Sequence, residues 1–114
     1  MLYALIVFAI AALGGLTLAA VYVLQGRLAP WPLSLLHAAL GAIGLLLLVY
    51  AAMTTGLLPG TALAALVILA IAALGGFYLA SIHLRGEVAR KPIVFIHAGV
   101  AAIGFLALLG AVLS

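Results

Sequence analysis

Four uninterrupted apolar stretches, Leu2 to Leu24, Pro32 to Met53, Thr61 to Leu84 and Pro92 to Leu113, leave this chain few ways to fold. Each supplies the roughly 20 apolar residues that an α-helix needs to cross the ~30 Å hydrocarbon core of a bilayer. Inside that core every backbone N–H and C=O must be paired within the protein, which a helix does locally. A soluble domain needs a charged surface, yet 71% of the 114 residues are hydrophobic and the only charged side chains are Arg27, Arg85, Glu87, Arg90 and Lys91. The sequence therefore predicts an all-α membrane protein, with residues 1–114 forming a single four-helix transmembrane domain.

The punctuation between the stretches agrees. Pro32 and Pro92 suit the first turn of a helix, where a missing N–H costs nothing, and Gly56 with Pro59-Gly60 marks a turn. The loops are short, so consecutive helices must run antiparallel as neighbours. No Lys or Arg precedes the first stretch, so it is expected to stay as a span rather than act as a cleaved signal peptide. All four basic side chains fall in or beside the first and third loops, while the middle loop MTTGLLPGT and both ends of the chain carry no charged side chain. The positive-inside rule then predicts loops one and three in the cytoplasm and both termini outside. Trp31 and Tyr22 would mark the cytoplasmic interface, Tyr3 and Tyr50 the outer one. The pI of about 9.8 rests on very few groups, so it bears on orientation and gives no reason to expect nucleic acid as a partner. With no Cys, disulfides and thiolate metal sites are excluded.

The chain also repeats itself. AIAALGG at residues 9 to 15 recurs letter for letter at 70 to 76, an offset of 61. Apolar strings match easily in so biased a composition, and the rarer residues carry more weight. At an offset of 60, Gly26 falls on Gly86, Pro32 on Pro92, His37 on His97, Ile43 on Ile103 and Gly44 on Gly104. Each unit, 1–55 and 61–114, is a helical hairpin. A unit that crosses the membrane twice re-enters in its original orientation, so the two hairpins should be parallel, related by a pseudo-twofold axis along the membrane normal. His37 and His97 then lie at one depth on helices that run the same way, about one and a half turns from the cytoplasmic end.

An ionisable group in a membrane helix marks a candidate site. His37 is followed by Gly41 and Gly44, and His97 by Ala101 and Gly104, so each histidine heads a strip without bulk on its own helical face. Such a strip allows close helix packing, the ordinary use of small residues in membranes, or leaves room for a flat ligand. A b-type haem needs two neutral imidazoles on opposite sides of the ring at one depth. His37 and His97 offer the ligands, the strips offer the slot, and Arg27, Arg85, Arg90 and Lys91 offer cations for the propionates. His83, two residues before Arg85, aligns with Tyr22 or Val23 and belongs to no repeated histidine pair. Its roles range from an interfacial histidine to a propionate partner, a proton donor or an alternative ligand. His37, His83 and His97 could instead hold zinc or copper, although no carboxylate in the spans would orient them. The two core histidines could also simply hydrogen-bond within the bundle, and a chlorophyll-type pigment would need one histidine each. With no intramembrane Asp, Glu, Lys or Arg, ion-coupled transport has little to work with.

On His37, His97 and their small-residue strips, the chain resembles small bacterial inner-membrane proteins and the b-type cytochrome four-helix bundles, in which histidine pairs clamp haem. The resemblance covers the chain as architecture only. It implies a single haem b held by His37 and His97 and electron transfer near the cytoplasmic face, with a quinone or a redox subunit as partner. Two axial histidines fill the iron's coordination, which favours an electron carrier over a catalyst. The outer half lacks His and Cys, unlike dihaem cytochromes of the b561 class, so no relay across the membrane is expected within one subunit. The alternative is a cofactor-free accessory or assembly subunit whose Gly and Ala faces, Gly14-Gly15 and Gly75-Gly76 among them, pack in a larger complex or a homo-oligomer.

Overall fold

The computed structural model describes residues 1–56 and 58–114; Leu57, in the middle loop, lies outside the described residues. Four helices form among them: α1 (Leu2–Gln25), α2 (Trp31–Thr55), α3 (Gly60–Leu84) and α4 (Lys91–Leu113). Their ends differ by at most two residues from those expected. α2 and α4 open on Pro32 and Pro92 in their first turn, where the chain arrives extended through Pro30 and Arg90. At 1.5 Å per residue, each helix is long enough to cross a bilayer core of ~30 Å. All four are apolar enough to do so, and large side chains such as Leu13, Leu46, Leu74 and Leu106 point outward at mid-height. A helix that is hydrophobic all round is what a lipid surroundings demands.

The helices form a ring in chain order, each touching its two neighbours, with α4 returning to α1. The bundle measures 44 × 20 × 18 Å. α1 with α2 makes one hairpin and α3 with α4 the other, so α2 and α4 stand diagonally opposite. Loops one and three, which carry the charges, lie at one end of the bundle. The middle loop and both ends of the chain lie at the other.

The two ends are built differently. At the uncharged end Phe8, Leu48, Leu69 and Leu108 interlock with Ala4 and Ala65 in a buried core, and Leu58, Ala62 and Ala111 extend it. Leu48 and Leu108 are wholly inaccessible. They are repeat equivalents, as are Ala4 with Ala65 and Phe8 with Leu69. Alanines between the leucines let the backbones approach closely, which is how membrane helices gain van der Waals contact. At the charged end nearly half of the residues lining the axis are Ala and Gly, and the helices enclose space instead of filling it.

The one-residue shift between the repeats has a visible cause. α1 ends with the N–H of Gly26 donating four residues back to the Tyr22 carbonyl. α3 ends in a tighter turn, with the N–H of Gly86 donating three residues back to the His83 carbonyl at 2.9 Å. Both glycines are left-handed, φ 62° and 70°, a conformation that side chains with a Cβ disfavour. The offset therefore changes after His83, and Tyr22, not Val23, is its structural counterpart.

Candidate ligand site between two histidines

Each histidine is held by its own hairpin. His37 on α2 donates Nδ1–H to the carbonyl of Ala11 on α1 at 2.8 Å, and His97 on α4 donates Nδ1–H to the carbonyl of Ala72 on α3 at 2.9 Å. A carbonyl can only accept, so Nδ1 carries a proton, and in the neutral ring Nε2 is the nitrogen with the lone pair. In a helix the side chain four residues on partly covers a carbonyl. Here those residues are Gly15 and Gly76, and the imidazoles lie directly against them. A Cβ on Gly15 would stand 2.8 Å from Cε1 of His37, and one on Gly76 would stand 2.9 Å from Cε1 of His97. Gly14 and Gly75 face the same two rings, just beyond close contact. The verbatim repeat AIAALGG thus contains, in each copy, the carbonyl that orients a histidine and the gap that admits it.

The two rings meet across the axis, with centroids 6.2 Å apart and planes at 87°. They border a cavity of about 460 Å³ reached by all four helices and by loops one and three, a size within the usual range for small-molecule sites. Its wall is apolar except for six side chains: His37 and His97 at mid-depth, and Tyr22, Ser34, His83 and Glu87 toward the charged end. Among the described residues no buried side-chain nitrogen or oxygen lacks a partner, so the free Nε2 atoms open onto accessible space.

The small-residue strips divide into two levels. Gly41 and Ala101 line the cavity, and a Cβ on Gly41 would meet nothing within 4 Å. Gly44 and Gly104 lie one turn deeper and are already occupied. Phe8 sits 2.7 Å from where a Cβ on Gly44 would stand, and Leu69 sits 2.8 Å from the equivalent point on Gly104. These two glycines seat the core beneath the cavity.

The basic side chains Arg27, Arg85, Arg90 and Lys91 are all exposed at the charged end and do not line the cavity. Arg27 donates Nε–H to Gln25, and Arg85 pairs with Glu87 at 3.6 Å, an exposed ion pair of little energetic weight. Nearer the cavity are Ser34, Tyr22 and His83, of which the sequence left only Ser34 unremarked. Ser34 is buried on its wall, and its repeat equivalent is Val94, so no repeated pattern flags it. Tyr22, expected in an interfacial belt, is half-buried and donates its hydroxyl to the carbonyl of Ala89. His83 donates Nε2–H to the carbonyl of Ala29 at 2.7 Å. That bond occupies its Nε2, and no group of three or more His, Cys, Asp or Glu side chains converges as a metal site among the described residues.

No protein family, curated protein or solved structure matches this chain. The chemistry of the site therefore rests on its own geometry: two carbonyl-oriented imidazoles with ring centroids 6.2 Å apart, bordering an apolar cavity inside a membrane-type bundle. Second partners of this kind, on the nitrogen away from the ligand, fix ring orientation and raise basicity at metal-binding histidines.

Proposed function

We propose that the protein binds one haem b between His37 and His97 and carries electrons near the cytoplasmic face of a bacterial inner membrane. The observation that carries this is the approach of the two imidazoles across the bundle axis: their centroids lie 6.2 Å apart, so that one metal ion between them would be within reach of a ring nitrogen from each. Haem bound in this way supplies a one-electron couple with no open coordination position. The chain supplies the rest. Ala11 and Ala72 hold the imidazole protons on Nδ1, so that Nε2 is the donor. The alanine and glycine wall keeps water away from the iron and sets a low-dielectric surrounding. The four exposed cations stand at the same end as the polar rim of Tyr22, Ser34 and His83, where propionates are expected. With those cations on the cytoplasmic side, both termini face outward, and the electron partner is a quinone or a redox subunit at the cytoplasmic level.

Protein purified from haem-replete membranes should show the reduced-minus-oxidised spectrum of low-spin b-type haem. His37→Ala or His97→Ala should abolish that six-coordinate signature, while His83→Ala should leave the iron low-spin. A colourless wild-type preparation would sink the proposal and favour the cofactor-free accessory subunit.

A further inference from the structure

Within each hairpin the histidine is fixed to its own partner helix, so the gap between His37 and His97 depends on how far apart the two hairpins stand. At the uncharged end Leu48, Leu108, Phe8 and Leu69 settle that spacing by contact. At the charged end a cavity stands where the other end has its packed leucines, and two hydrogen bonds span the hairpins there. Tyr22 at the end of α1 donates to Ala89 in the loop before α4, and His83 at the end of α3 donates to Ala29 in the loop before α2. The bonds are reciprocal under the repeat: Tyr22 and His83 are equivalent at an offset of 61, Ala29 and Ala89 at 60. Each runs from one hairpin to the other, and together they cross the mouth of the cavity in both directions. Both donors, and both loop alanines, line the cavity. Tyr and His are chemically unlike, yet each delivers one N–H or O–H donor to the matching carbonyl, which is the property the two positions share.

We propose that Tyr22 and His83 are positioning residues that set the separation of the two hairpins at the charged end and so fix the gap between His37 and His97. The consequence for ligation rests on the haem reading above, whereas the spacing itself does not. The absence of cysteine makes the test clean. Nitroxide labels on Leu24→Cys and Leu84→Cys, both exposed at the charged ends of α1 and α3, report the mouth, and labels on Leu2→Cys and Leu63→Cys report the packed end. Pulsed-resonance distances would be taken on the full chain in lipid nanodiscs, without haem and after addition of haemin. In the Tyr22→Phe, His83→Leu double variant the charged-end distribution should broaden and lengthen, while the packed-end distribution stays as in the wild type. Exchanging the residues, Tyr22→His with His83→Tyr, should restore the narrow distribution. Haem-loaded double variant should lose its ligand to a scavenging apoprotein about tenfold faster, as expected for the loss of two membrane hydrogen bonds. Charged-end distances that match the wild type in the double variant would overturn the proposal, as would failure of the exchanged pair to restore them in a variant whose packed end is intact. If haemin fails to bind the wild type but the distances respond as described, the spacing role stands and the haem reading falls.

Discussion

Glycine has three different uses around this site, and substitutions separate them. Gly15 and Gly76 give the imidazoles access to a backbone carbonyl, so Gly15→Ala or Gly76→Ala should push a ring off its acceptor. The expected cost is about 1 kcal/mol, the worth of a hydrogen bond inside a membrane; on the haem proposal, part of the iron should also become high-spin. Gly44→Ala and Gly104→Ala drive a Cβ into Phe8 and Leu69 and should cost about 1–3 kcal/mol by overpacking. Those two should leave the spectrum of the folded fraction unchanged. Gly41 faces open space on the cavity wall, so Gly41→Leu should leave thermal stability in detergent near wild type while excluding haem. Absorption spectra and melting curves on this set distinguish the three uses. The spacing His, three residues, small, two residues, Gly was legible in the sequence, but it could not say that the nearer small residue borders a cavity and the farther one accepts a core side chain. That difference depends on Phe8 and Leu69, which reach in from other helices.

At the level of helices the sequence was informative about extent and silent about facing. Apolar length, Pro32, Pro92 and the loop glycines located the four elements to within two residues. The pattern of hydrophobicity could not say which side of each helix turns inward, because lipid and core are equally apolar and the helices are hydrophobic all round. The repeat compensated in part, since positions that recur in both copies turn out to be those with a shared job: Ala11 with Ala72, Gly15 with Gly76, Leu48 with Leu108. Packing at the uncharged end is what joins the hairpins there. Leu48→Ala and Leu108→Ala should each lower stability by about 2–3 kcal/mol, near the low end for truncating a buried leucine. A chemical or thermal unfolding series in detergent would measure it, and the double variant should lose the fold.

For the whole molecule the asymmetry between ends organises everything else: one end is packed and uncharged, the other hollow and rimmed with basic side chains. Charge distribution also predicts how the bundle sits in its membrane. Single cysteines at Gly26 or Glu87 should be labelled by a membrane-impermeant thiol reagent only after cells are opened, whereas Ser114→Cys should react in intact spheroplasts. The reverse pattern would place the candidate site near the outer face and move the proposed electron partner with it.

The sequence by itself determined that four apolar helices form, that they make two hairpins in tandem, and that His37 and His97 lie at matching heights. Those properties follow from local helix geometry, loop length and an internal match, none of which needs to know how helices are arranged about the axis. Only the tertiary structure decided that the two imidazoles come within 6.2 Å of each other, that Ala11 and Ala72 accept from their Nδ1 atoms, and that the arginines and lysine stay outside the cavity. It also decided the meaning of His83. In the sequence that residue was an unpaired third histidine; in the bundle it is the counterpart of Tyr22, because the offset changes just beyond it and both side chains reach a carbonyl of the opposite repeat.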